Sequence, residues 1–256
     1  MKKSFAIERR NEVLCFVTQK GTVTVHELID RFKVSGATIR RDLEFLERQN
    51  LIQRAHGGAI GKSRVIFEPD YSEQKERFLE EKKRIGREAS KLVEEREVVF
   101  LEASTTVLQL AKHIRNRRNL TIVTNSLDIA REFERNEEID LILAGGVLKR
   151  KTHALIGPLT EASLRQVRLD KAFVGISALD ISDGITMATL EEAQTRKKIH
   201  QATNKIIVLS DHSKFGKHNF AYIAPVDSID ILITDKGIPE ETKREMEKMG
   251  IEVRIV

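Results

Sequence analysis

The chain has 256 residues, 40% apolar and 32% charged, with a formal net charge of +5. That length is comfortable for two domains, and the composition fits a soluble globular protein with a real core. No run approaches the ~18–20 apolar residues of a membrane span, and Met1-Lys2-Lys3-Ser4 lacks the apolar stretch of a signal peptide, so a cytoplasmic protein with no membrane partner is expected.

The charge is unevenly spread. Residues 1–60 carry 11 Lys/Arg against 7 Asp/Glu, and the remaining 196 carry 33 against 32. The asymmetry hints at a nucleic-acid-facing N-terminal part, but it is too small to carry the argument without a motif. Cys15 stands alone among Val13, Leu14 and Phe16, which excludes an internal disulfide, suits a reducing compartment and reads as a buried small residue. The seven histidines are scattered, and neither His212 nor His218 has partners at ligand spacing; no metal and no cofactor are expected.

In chain order, residues from about Ala6 to Gln19 predict a first amphipathic helix, which Gly21 breaks. Thr24-Val25-His26-Glu27 is a capping box, so a second helix starts there and runs to about Phe32. Only Lys33 and Val34 separate it from Ser35, a good N-cap for a third helix, and so short a link is the spacing of a helix-turn-helix. In that third helix Ile39, Leu43 and Leu46 form one apolar stripe. Ser35, Gly36, Ala37, Thr38, Arg40 and Arg41 are the candidate DNA contacts: small residues permit close approach, and arginine can pair with guanine or grip phosphate. Taken alone, the stretch reads equally as a surface helix with two solvated arginines. Leu51–Ile60 then predicts a short hairpin in which Gly57 and Gly58 supply positive φ angles. Such a hairpin is a wing, with Arg54, His56 and Gly57 placed to reach the DNA backbone or minor groove.

Thr38-Ile39-Arg40-Arg41-Asp42-Leu43, followed by Arg54-Ala55-His56-Gly57-Gly58-Ala59, closely resembles the N-terminal signature of the DeoR family of bacterial transcriptional regulators. The resemblance implies a winged helix-turn-helix that binds double-stranded operator DNA.

Residues 61–71 contain Pro69 and show no helical period, so they read as a linker between a DNA-binding domain at 1–60 and a second domain at 72–256. From Ser72 onward, Phe78, Ile85, Ala89 and Leu92 predict one long helix with a charged solvated face.

Apolar strand-like runs then alternate with helical patterns: 98–101, 120–123, 139–143, 172–174, 206–209, 231–233 and 253–256. This predicts an α/β domain with an open, mostly parallel, Rossmann-like sheet, whose ligand sits beyond the carboxyl ends of the strands. The first of these strands ends in Glu102-Ala103-Ser104-Thr105-Thr106 before a helix. Three hydroxyls and free amides at a helix start suit a phosphate, although an unliganded Ser/Thr-rich cap has the same spacing. The Gly-Lys-Ser/Thr ending of a nucleotide P-loop is absent. Asn125 and Lys214 follow other strands and are further candidates.

Thr124-Asn125-Ser126, Gly145-Gly146, Gly157-Pro158-Leu159, Lys171–Gly175 and Asp211–Gly216 resemble the DeoR-family sensor domain. That domain is similar in fold to ribose-5-phosphate isomerase and takes phosphorylated sugars or their metabolites. The resemblance implies that Ser104, Thr105 and Thr106 hold the phosphate, with Asn125 and Lys214 near the sugar. Members commonly have Asp and Gly where this chain has Glu102 and Ser104; a longer acid reaches further and a Cβ restricts the loop. The expected function is a repressor of a sugar-catabolism operon, homo-oligomeric as a dimer or tetramer, released from DNA by a phosphorylated sugar or related metabolite. The alternatives are a sugar-phosphate isomerase-like enzyme and a constitutive DNA-binding protein whose second domain only oligomerises. Glu102, Asp180, Asp183 and Asp211 are acids available for isomerisation, but the sequence places none against a substrate, and no enzyme is expected.

Overall fold

The chain divides into two units, Met1–Phe67 and Glu68–Val256. The computed structural model describes residues 9–10, 12–14, 16–17, 20–48, 52–55, 57–61 and 71–256. Cys15, His56 and positions 62–70 of the expected linker lie outside the described residues; Gly61 and Tyr71, the ends of that linker, belong to regular elements.

In the first unit, helical residues between positions 9 and 20 precede β1 (Thr22–Thr24), α1 (Val25–Phe32) and α2 (Gly36–Arg48). β2 (Ile52–Ala55) and β3 (Gly58–Gly61) follow. The capping box is formed: the Thr24 hydroxyl accepts the Glu27 amide at 3.2 Å, and the Glu27 carboxylate accepts the Thr24 amide at 2.7 Å. Lys33 ends α1 in a left-handed conformation (φ +53). Two residues later the Ser35 hydroxyl accepts the Thr38 amide at 3.3 Å and starts α2. Val13, Val17, Leu28, Ile39, Leu43 and Ile52 are fully buried together. The strands form an antiparallel sheet in the order β1-β3-β2, in which β1 was not foreseen. Only half of the expected Gly57-Gly58 argument holds. Gly57 has φ +82, whereas Gly58 sits in the sheet, where a Cβ would lie 2.1 Å from the Val23 carbonyl oxygen.

In the second unit the single helix expected from Ser72 is two: α3 (Tyr71–Glu76) and α4 (Leu79–Ser90). The chain breaks at Phe78, which is left-handed (φ +53) and whose ring meets His212 edge-on at 4.7 Å. Ile85 and Ala89 are buried as the periodicity requires.

Seven parallel strands follow at the expected runs: β4 (Val98–Leu101), β5 (Leu120–Thr124), β6 (Ile139–Leu143), β9 (Lys171–Val174), β12 (Ile206–Leu209), β14 (Ile231–Thr234) and β15 (Glu252–Ile255). Their order in the sheet is β15-β14-β12-β9-β4-β5-β6. Side chains alternate between two apolar layers. Val99, Leu101, Phe173, Ile207 and Leu209 join one, and Phe100, Val174, Val208 and Leu232 join the other. The helices are α5 (Val107–Ile114), α6 (Leu127–Phe133), α7 (Pro158–Arg165), α8 (Leu190–Ala202) and α9 (Glu240–Lys248). Short antiparallel strands that periodicity did not reveal complete the unit: the hairpin β7 (Val147–Lys149) with β8 (Ala154–Ile156), and β10 (Ala178–Asp180), β11 (Gly184–Met187) and β13 (Ala221–Ala224). Among the described residues no helix is long and apolar enough to cross a membrane.

The chain runs outward from β4 through β5 to β6, then returns to place β9 on the other side of β4. The carboxyl ends of β4 and β9 therefore flank the topological switch point, where open α/β sheets take their ligands.

Candidate functional site

In the first unit α2 buries Ile39, Leu43 and Leu46 and exposes Ser35, Ala37, Arg40 and Arg41, with Gly36 and Thr38 half-buried. The Ile39 stripe thus fixes which face is free, and both arginines lie on that face. Asp42 is the exception among the charges: it is buried and accepts Arg9 Nε at 2.6 Å and Arg10 Nε at 2.9 Å, tying the helical residues before β1 to α2. Its spacing, three residues after Ile39 and four before Leu46, puts it on the apolar face, a signal that the sequence reading passed over. The wing is fastened to the same helix. Glu47 accepts the Arg54 amide at 3.1 Å, and the Arg54 guanidinium lies 3.4 Å from the Glu44 carboxylate. Arg54, expected to reach the DNA, is thus paired with α2 in this structure, and Gly57 at the wing tip is exposed.

In the second unit the loops after β4 and β9 open on a solvent-exposed cleft of about 630 Å³. Glu102, Ser104, Thr105 and Asn125 line it, so four of the expected effector residues share one wall system; Thr106 and Lys214 line a smaller hollow beside it, which also includes Ser104 and Thr105. At the start of α5, the Ser104 hydroxyl accepts the Thr106 amide at 3.2 Å. Among the described residues the amides of Ser104, Thr105 and Val107 have no hydrogen-bond acceptor, and the hydroxyls of Thr105 and Thr106 make no hydrogen bond. Helix starts leave such donors free for an anion. Ser104 has room only because residue 175 is glycine: a Cβ there would lie 2.3 Å from the Ser104 Oγ.

Glu102 is committed within the protein. It is buried, pairs with Arg196 of α8 and accepts the Gly175 amide at 2.9 Å, while Arg196 donates to the Gly175 carbonyl at 2.6 Å. Burial pushes its carboxyl above the usual carboxylate range, against the downward pull of Arg196 and the Gly175 amide. Asn125 is engaged at both ends, its oxygen accepting the Ala103 amide at 2.9 Å and its nitrogen donating to the Leu155 carbonyl at 3.1 Å. It shapes the loop as much as it faces the cleft.

Several site residues were missed in the sequence. Arg196, Thr195 and Glu192 are buried on one side of α8, and Lys149 of β7 pairs with Glu192. Tyr71 and Gln74 of α3 also line the cleft. The Tyr71 ring stacks on His153 at 4.1 Å, and His153 Nδ1 lies 2.8 Å from Asp128. Burial, then the Asp128 charge, raises the Tyr71 hydroxyl well above its ordinary range. Lys82 of α4 reaches the smaller hollow, where it meets Asp211 and Lys214. Among the described residues no group of three His, Cys, Asp or Glu is arranged to hold a metal ion.

A winged helix-turn-helix carried in one chain with an open α/β unit, whose switch point is a polar cleft, is the make-up of a DNA-binding transcriptional regulator. The comparisons agree. Residues 9–65 match the DeoR-like helix-turn-helix domain and residues 77–236 the DeoR C terminal sensor domain; the chain belongs to the DeoR family. It is 34% identical over 246 residues to the HTH-type transcriptional regulator GlpR of Haloferax volcanii, covering 96% of each chain. It is also 34% identical over 232 residues to the glycerol-3-phosphate regulon repressor of Escherichia coli, covering 91% of this chain and 92% of that one. With the HTH-type transcriptional regulator GolR of Listeria innocua it shares 33% over 252 residues, 98% of this chain and 99% of the other. These relatives are regulators, not enzymes. Among solved structures it is similar to ribose 5-phosphate isomerase A from Methanocaldococcus jannaschii, at TM-score 0.40 and 19% identity over 54% of this chain and 55% of that one. The delta subunit of eIF2B from Chaetomium thermophilum gives 0.41 and 15%, over 55% and 50%. The chain spans about half the length of each, and likenesses of that grade carry no argument about activity.

Proposed function

We propose that this regulator is a repressor whose hold on operator DNA is loosened by a phosphorylated sugar or a related small phosphorylated metabolite. The observation that carries the reading is the loop Glu102–Thr106. It leaves the carboxyl end of β4 at the switch point and, among the described residues, presents unpaired amides and two unpaired hydroxyls to a cleft. A phosphate monoester supplies the acceptor oxygens these donors lack, and the dipole of α5 favours its charge. A relative named for the glycerol-3-phosphate regulon supports the class of ligand.

In this reading residues 1–60 grip DNA, 61–71 link and 72–256 sense the effector and join subunits into a homo-oligomer, a dimer or tetramer. Two copies of α2 then meet successive major grooves of a repeated or palindromic operator. Effector binding favours a state with poor helix spacing, and a coupling of ~1–3 kcal/mol weakens DNA binding about 5- to 150-fold.

The test is fluorescence anisotropy of the full chain on a duplex from upstream of its own gene, titrated with sugar phosphates. Release is expected for wild type and loss of release for Thr105→Val/Thr106→Val. If the double variant releases normally, the site is elsewhere. Turnover of any sugar phosphate would point to an isomerase, and calorimetry without heat for every one would point to a constitutive DNA-binding protein.

A further inference from the structure

β6 closes one side of the parallel sheet, and its outer edge pairs with no other strand among the described residues. A bare edge is a template for strand addition, and proteins commonly guard such edges with charge. The opposite edge is guarded: β15 carries Glu252 and Arg254, and Arg254 lies 2.6 Å from Glu252 and 3.6 Å from Glu88. On β6, Ile139 and Leu141 turn in towards the layer of Ile122 and Phe133, but Ile142 and Leu143 are 42% and 41% exposed, and Asp140 is the strand's one charge. The bare surface continues past the carboxyl end of the strand. There the Thr160 hydroxyl donates to the Gly145 carbonyl at 2.5 Å, which brings Leu159 of α7 to the same end of the sheet as Val147 and Leu148 of β7. Five of the eleven large apolar side chains exposed among the described residues fall between positions 142 and 159, a cluster rather than a scatter.

We propose that this edge is where two copies of the chain meet: β6 of one pairs antiparallel with β6 of the other about a two-fold axis near Ile142, so that one sheet runs through both. This rests on the homo-oligomer of the reading above and names the surface that forms it. The exposed parts of Ile142, Leu143, Val147, Leu148 and Leu159 amount to roughly 400–500 Å², close to the apolar share of the ~800 Å² that each partner of a stable dimer buries.

Charge selects a second copy over an unrelated strand. The amino end of β6 is acidic: Glu137 and Asp140 are exposed and unpaired among the described residues, and Glu138 lies 2.8 Å from Arg118. The hairpin after its carboxyl end is basic, with Arg150 and Lys151 exposed and likewise unpaired among the described residues. Antiparallel pairing turns the acidic end of each copy towards the basic end of the other, whereas parallel pairing would set like charges together. A two-fold axis perpendicular to the strands generates the antiparallel arrangement, and the same patch then serves both partners. The joined sheet is left with the charged β15 at both of its outer edges, so its growth stops at the pair.

The experiment is analytical ultracentrifugation of the full-length chain over a micromolar concentration series, with a melting curve for each variant. Val147→Asp/Leu159→Asp places charge at two positions that are each 69% exposed. It is expected to stay folded and to lose one step of assembly, dimer to monomer or tetramer to dimer. Ile255→Asp, on the opposite edge, should assemble as wild type does. Glu137→Lys/Asp140→Lys should weaken association at least about tenfold at low salt, and adding Arg150→Glu/Lys151→Glu should restore it. All four of these positions are exposed, so the rescue decides the matter even if the first variant unfolds. If wild type assembles and neither the apolar nor the charge variants weaken it, the copies meet elsewhere and the homo-oligomer stands. Dissociation of Ile255→Asp alone would move the junction to β15, and charge reversal without rescue would rule out the antiparallel arrangement. If wild type is a monomer throughout the series, the homo-oligomer falls, and this interface with it.

Discussion

Glu102 and Arg196, 94 residues apart, are joined in the wall of the cleft through Gly175: each side chain pairs with the other, and between them they take both the amide and the carbonyl of that glycine. The contact ties the carboxyl ends of β4 and β9 to α8. Arg196→Met would leave a buried carboxylate uncompensated and is expected to cost about 3–5 kcal/mol. In Glu102→Gln/Arg196→Met both charges are gone, and most of that loss should be recovered. Urea unfolding of the two variants checks this. A double variant no more stable than the single one would mean that the pair does not act as a unit.

Ser104 and Gly175 are matched by volume. A Cβ at residue 175 would lie 2.3 Å from the Ser104 Oγ and 2.7 Å from its Cβ. Gly175→Ala is therefore expected to destabilise the unit by about 1–3 kcal/mol through overpacking. Adding Ser104→Gly removes the atoms in conflict and should restore stability. Thermal unfolding of the single and double variants decides the matter; equal melting temperatures would show that the loop relaxes some other way.

What the sequence revealed of this site follows from how each residue advertises itself. The seven parallel strands are continuous apolar runs buried on both faces, such as Ile206–Leu209, and the polar residues at their ends read directly as loop candidates. Arg196 was not legible because α8 reads Leu-Glu-Glu-Ala-Gln-Thr-Arg-Lys-Lys-Ile-His-Gln-Ala, a charge-rich run indistinguishable from a solvated face until Glu192, Thr195 and Arg196 are seen buried. The break at Phe78 was hidden because nothing local favours a left-handed phenylalanine; His212, far along the chain, holds its ring. Gly58 was misread for the same reason, since the carbonyl it must avoid belongs to Val23. Close approach between distant segments leaves no local trace.

His200 predicts a specific acid sensitivity. Burial and the Arg196 charge lower its pKa from 6.5 to about 4, and its Nε2 is buried without a partner among the described residues. The folded chain thus binds this proton less readily than the unfolded chain. The neutral ring's contribution is complete above pH 6.5 and is lost as the pH falls from 6.5 towards about 4. The loss amounts to roughly 2–3 kcal/mol. His200→Leu should flatten stability across this window, read as urea midpoints at about pH 8 and about pH 4.5. An unchanged acid slope would assign the sensitivity to other groups.

The first unit predicts three neighbouring variants with three different outcomes. Arg40 and Arg41 are exposed on the face of α2 opposite its apolar stripe, so Arg40→Ala and Arg41→Ala should leave the unit folded and weaken DNA binding. Loss of a base contact costs about 1–3 kcal/mol and relaxes sequence preference, whereas loss of a phosphate contact weakens all sequences alike and lowers the salt slope by about 1. Asp42, between them and the core, should behave otherwise. It is 1% exposed and holds Arg9 and Arg10, so Asp42→Ala removes two ion pairs and should destabilise the fold by roughly 1–3 kcal/mol. Binding to specific and nonspecific duplexes over a salt series, with a melting curve for each variant, separates the three. Negligible effects of both arginine variants on binding would remove α2 from the DNA interface. A melting temperature unchanged by Asp42→Ala would show that the Arg9 and Arg10 pairs contribute nothing net to the fold.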